Sequence, residues 1–141
     1  MVSHLKKGGQ LCAYVWDYSG HYQPMRHFWN GAKEVNPTAE KYDAGTKFKL
    51  CAEENLSELF RSIGLQDIKF ITIQQIAAYN DFDDYWNPIV TAQGSVTEFM
   101  SLLSEKEKQD LKEVLRRKLP IARNGDFKLI VTALAVKGVK P

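Results

Sequence analysis

The sequence predicts an α/β fold. Three observations carry that reading. Apolar runs at 11–16, 68–78 and 127–137 have the length and content of strands. The segments between them show helical periodicity. Glycine- and proline-containing turns separate the two kinds of segment. The order is therefore strand, helices, strand, helices, strand, in one domain spanning 1–141. A chain of 141 residues can bury a real core.

Gly8-Gly9 marks a turn ahead of the first strand. Leu11-Cys12-Ala13-Tyr14-Val15-Trp16 is apolar at successive positions, which predicts a strand covered on both faces, as in a parallel sheet. It should stop near Asp17, because Tyr18-Ser19-Gly20 reads as a loop. A helix is expected over 22–35. Tyr22, Met25, Trp29 and Ala32 form one stripe; Phe28, Ala32 and Val35 form another. Asn36-Pro37-Thr38 ends it, and 38–50 reads as loop. Leu56, Leu59, Phe60 and Ile63 follow helical spacing, with Gly64 where a helix-terminating glycine belongs.

After the second strand, 80–120 reads as a helical insert. Asp81 is the expected N-cap of a helix carrying Phe82, Tyr85, Trp86 and Ile89 on one face; Pro88 keeps that helix short. Ser95-Val96-Thr97-Glu98 and Ser104-Glu105-Lys106-Glu107 both have the capping-box pattern. The last helix carries Leu111, Val114, Leu115 and Leu119, with acids early and bases late, as the helix dipole favours. Pro120 closes it, and Arg123-Asn124-Gly125-Asp126 turns the chain into the third strand.

Composition excludes several function classes. With 44% hydrophobic and 26% charged residues, the chain is ordinary for a globular protein. A formal net charge of +2, with only Arg116-Arg117-Lys118 clustered, argues against nucleic acid and against a membrane surface. No apolar run approaches the roughly 20 residues of a membrane helix. Residues 1–9 hold no apolar stretch of signal-peptide length, so the cytoplasm is the expected compartment. Cys12 and Cys51 lack any paired metal-ligand spacing; two buried or half-buried thiols and no metal are expected.

Several segments, in order, resemble the class I S-adenosylmethionine-dependent methyltransferases, in particular the small-molecule group called type 11. Leu5-Lys6-Lys7-Gly8-Gly9-Gln10-Leu11 is similar to the family's L-K-P-G-G stretch before its fifth strand, with Lys7 replacing the usual proline. Ala13-Tyr14-Val15-Trp16-Asp17-Tyr18 resembles the end of that strand. Phe60-Arg61-Ser62-Ile63-Gly64-Leu65 resembles the turn before the sixth. Asp81-Phe82-Asp83-Asp84-Tyr85-Trp86, followed by Gln93-Gly94, resembles an inserted cap, and 127–138 resembles the seventh strand. The resemblance covers essentially the whole chain. It implies the C-terminal portion of a Rossmann-like sheet, with the fifth to seventh strands, the last one antiparallel, and a helical cap.

The resemblance also implies S-adenosylmethionine as the cofactor of the full family fold, held by an N-terminal half through a glycine-rich loop that follows the first strand. No such loop is present: Gly8-Gly9 precedes a strand. The expectation is therefore a C-terminal half that binds no cofactor alone. Its strand at 10–16 lacks its inner neighbour, and an open edge invites pairing. The expected partner there is a second copy, giving a homodimer, or the missing N-terminal half. The chain is either a piece of a longer methyltransferase or a short product working with a partner.

The function implied is the substrate-side part of a methyltransferase acting on a small organic molecule, inactive as this chain. The alternative is a non-catalytic small-molecule binding or dimerisation module of the same fold. Substrate-facing candidates lie after the first strand and on the cap: Trp16, Asp17, Tyr18, His21, Met25, Arg26, Trp29, Tyr85, Trp86 and Gln93. Each has a second reading. Trp29 and Trp86 have spacing that also suits the core. Asp17 suits a loop cap, and Arg26 suits either a carboxylate clamp or a solvated helix face. His21 and His27 have the chemistry of a general base but also suit a surface. No catalytic residue is singled out by the sequence.

Overall fold

The computed structural model describes residues 2–43, 45 and 52–141. Among these residues it is a mixed α/β fold with one three-stranded sheet. Strand β1 is Gln10–Trp16, followed by helix α1, Gln23–Val35, and a 3-10 turn at Pro37–Lys41. Helix α2, Glu53–Ser62, leads into β2, Gln66–Tyr79. Helices α3 (Phe82–Thr91), α4 (Ser95–Leu102) and α5 (Glu105–Lys118) form the insert, and β3 is Phe127–Val139. Cys51 and most of the loop expected at 38–50 lie outside the described residues.

The sheet order is β1-β3-β2. Strand β3 runs antiparallel to both neighbours, so β1 and β2 run parallel to each other. Alternation along β3 divides the packing. Leu134 and Val136 join Leu56 and Phe60 of α2 and the adjacent Leu65 in one cluster, with Leu11, Ala13 and Val15 of β1 beside it. Phe127 and Leu129 join the larger cluster built by α1 and the insert, around Phe28, Trp29, Tyr85, Phe99, Leu111 and Leu115. Helices α1 and α5 approach closely at Gly31, where a Cβ would lie 2.9 Å from Leu115 Cδ2.

Strand β1 is not covered on both faces. Its burial alternates: Leu11, Ala13 and Val15 are half-buried, while Cys12, Tyr14 and Trp16 are exposed. The physical reason is that, among the described residues, β1 is an edge strand paired with β3 alone and nothing packs over its second face. An exposed Cys12 also corrects the expectation of a sequestered thiol. On α2, Leu56 and Phe60 are buried, but Leu59 and Ile63 are each 40% exposed; only half the stripe meets the sheet.

The insert follows its caps, with one difference. The Asp81 side chain accepts from Asp84 N–H at 2.9 Å. Ser104 and Glu107 form a complete capping box. Ser95, however, is the first residue of α4 and not its cap. Gly94, at φ 105°, swings the chain into the helix, a conformation glycine adopts at little cost, and the Thr97 hydroxyl donates to the Ala92 carbonyl instead. No helix among the described residues is long and apolar enough to cross a membrane.

Candidate functional site

Strand β1 ends at Trp16, and the chain then folds into a tight loop before α1. Asp17 N–H donates to the Thr132 carbonyl of β3 at 2.9 Å, and the Asp17 carbonyl accepts from Tyr22 N–H at 2.9 Å. The loop is therefore closed on itself and tied to the central strand. Its buried Asp17 carboxylate accepts from the Ser19 N–H at 3.1 Å and from the Ser19 hydroxyl; its other oxygen lies 2.7 Å from His21 Nδ1. Proline at the start of α1 stops the loop from continuing as strand and presets the helical φ.

Beside this loop lies a cavity of about 400 Å³, between the loop and the insert. Tyr18, Tyr22, Pro24 and Met25 form one wall. Tyr85, Pro88, Ile89, Gln93 and Val96 form the other, with Tyr79 from the end of β2. The walls are fastened together: the buried Tyr85 hydroxyl donates to the Pro24 carbonyl at 2.9 Å. Burial raises the Tyr22 phenol, helped by Tyr18, and raises Tyr79, helped by Tyr22. Burial pushes the Tyr85 phenol up further still. All three hydroxyls are therefore neutral at neutral pH. The cavity is a largely apolar, aromatic space with a few uncharged polar groups, which suits a small organic molecule.

Of the residues expected from sequence, Tyr18, Met25, Tyr85 and Gln93 line the cavity. Trp16 stands just outside it, stacked on Tyr22 at 4.9 Å between ring centres. Asp17 and His21 sit on the same loop as two of the lining residues but do not line the cavity. Trp29 and Trp86 belong to the core, and Lys112 lies over the Trp86 ring. Arg26 is paired with Asp43 at 2.5 Å. Tyr22 and Tyr79 were not among the sequence candidates. Tyr22 carried a signal, being next to the loop; Tyr79 reads as an ordinary strand end and carried none.

The loop after β1 holds a single glycine, Gly20, with open space around it, and not the glycine-rich run that the resemblance implies for S-adenosylmethionine. Gly8 and Gly9 lie before the strand, at its other end. No cluster of metal-ligating side chains occurs among the described residues. No family model matches this chain, and no curated protein matches it.

Proposed function

We propose that this chain is the substrate-side part of an S-adenosylmethionine-dependent methyltransferase acting on a small organic acceptor, and that it needs further polypeptide for cofactor binding. The observation that carries the reading is the aromatic cavity at the C-terminal end of β1, roofed by the insert. Ligands of open α/β sheets lie outside the C-terminal strand ends. The pairing of the last strand also supports it: β3 is antiparallel to both neighbours, as the resemblance implies. Open-edged β1 is where that further polypeptide, or a second copy of this chain, would pair.

A second reading has its own support. Among the described residues nothing covers the face of the sheet carrying Tyr14, Ile71 and Ile73, which are 74%, 58% and 42% exposed. A non-catalytic module that dimerises through this region, and binds a small molecule without a methyl donor, fits that surface.

Calorimetry separates the parts of the proposal. Phenol titrated into the chain should bind in the cavity and lose that binding in Gln93→Ala or Met25→Trp, which alter its walls. S-adenosylhomocysteine should not bind. Binding of S-adenosylhomocysteine overturns the division of labour, and absence of any phenol binding overturns the acceptor cavity.

A further inference from the structure

Two phenols of the cavity wall are held firmly by their rings while their hydroxyls stay unpaired. Tyr22 stacks on Trp16 at 4.9 Å between ring centres and meets Tyr18 edge-on at 5.7 Å. Tyr79 stacks on Phe127, its cross-strand partner on β3, at 4.9 Å and meets Tyr85 edge-on at 5.6 Å. Such ring pairs fix side chains that would otherwise turn freely. The Tyr85 hydroxyl is committed to the Pro24 carbonyl. Tyr22 and Tyr79 are half-buried, and their hydroxyls have no hydrogen-bond partner among the described residues.

Both residues line the same cavity of about 400 Å³, Tyr22 from the chain entering α1 and Tyr79 from the end of β2. The two phenols are close enough that Tyr22 adds to the effect of burial in raising Tyr79. Both therefore stay protonated at neutral pH, and a protonated phenol can donate. A molecule that fills a space of this size touches both. No charged side chain lines the cavity among the described residues, so an ion inside it would lose its hydration with nothing in return. A hydroxyl left unpaired beneath a bound ligand costs free energy, and a ligand oxygen that accepts from it avoids that cost.

We propose that Tyr22 and Tyr79 are the specificity-determining pair of this cavity: their hydroxyls donate to an oxygen carried by a neutral aromatic ligand, whose ring packs among Tyr18, Tyr85 and Met25. This rests on the acceptor-site reading above and narrows the acceptor to an uncharged ring compound bearing a hydroxyl, ether or carbonyl oxygen. A ligand without that oxygen leaves the pair unsatisfied and binds more weakly, and an ionised one is excluded.

The test is calorimetry of the chain at neutral pH with ring compounds of similar size: phenol, toluene and benzoate. Phenol should bind about tenfold more tightly than toluene, the loss expected when the hydrogen bonds to the pair go unmade. Benzoate, ionised at this pH, should not bind. Tyr22→Phe and Tyr79→Phe keep the stacked rings and so the fold, which circular dichroism checks. Each should weaken phenol several-fold and leave toluene unchanged. Toluene binding as tightly as phenol, phenol binding unchanged in either variant, or binding of benzoate overturns the pair while leaving the cavity standing. Absence of binding by phenol and toluene alike overturns the cavity reading and the pair with it.

Discussion

Asp43 is fully buried and accepts, among other contacts, from Arg26 Nη2 at 2.5 Å, Lys33 Nζ at 2.8 Å and the Gly45 N–H at 2.9 Å. Burial opposes its ionisation, but the hydrogen bonds from Lys33, Arg26 and Gly45 outweigh it and hold the carboxyl below its ordinary value. A depressed folded-state value stabilises the fold above the ordinary carboxyl range, and that stability disappears as pH falls through the folded value. Asp43→Ala should therefore cost about 2 kcal/mol in urea unfolding at neutral pH. This is less than for a fully buried pair, since Arg26 and Lys33 keep partial solvent contact. The difference between variant and parent should shrink in acid; a difference that is constant with pH would show that the carboxylate's charge is not what matters. This cluster also shows what the sequence could not give at Arg26, where a carboxylate clamp and a solvated helix face were both open readings. A basic residue on a helix next to a loop looks like a substrate clamp, and its true partner lies 17 residues on, where periodicity gives no cue. Tyr18, Met25, Tyr85 and Gln93 come together at the cavity because they lie beside a strand end and on the insert, a place that a sequence reading of open α/β sheets singles out.

Elements were more legible than contacts. The helix at Glu105–Lys118 could be placed from its capping box, its Leu111–Leu115 stripe and its charge order, all local signals. Ser104→Ala removes the hydroxyl that accepts from Glu107 N–H at 3.2 Å and should cost about 1 kcal/mol in thermal or urea unfolding. The close approach of α1 and α5 was not legible, because a glycine inside a helix gives no direction. Gly31→Ala should improve α1's intrinsic propensity yet destabilise the chain by about 1 kcal/mol, because the new methyl meets Leu115. Stabilisation by this variant would mean that Leu115 can move aside. The second capping-box motif, at Ser95, shows the limit of local patterns: Gly94, one residue earlier, took the cap position.

At the scale of the molecule, the order of strands and helices was legible, and so was the edge position of β1 among the described residues. The bare face was not. Leu11-Cys12-Ala13-Tyr14-Val15-Trp16 has the composition of a strand buried on both sides, and composition cannot say which protein supplies the cover. Three rungs cross that face: Cys12–Lys137–Lys69, Tyr14–Ala135–Ile71 and Trp16–Ala133–Ile73. The rungs at Tyr14 and Trp16 are apolar and run into an edge with no neighbouring strand among the described residues, which is unusual on a monomer: the side chains gain by leaving water, and the edge N–H and C=O groups offer a template to another strand. The central claim is that another polypeptide covers this region, and in the isolated chain a second copy takes that place. Sedimentation velocity of the parent chain and of a Tyr14→Lys, Ile73→Lys variant tests it most directly. The account predicts that the parent sediments as a dimer and the variant, equally folded by circular dichroism, as a monomer. A parent chain that stays monomeric across the concentration range would contradict it.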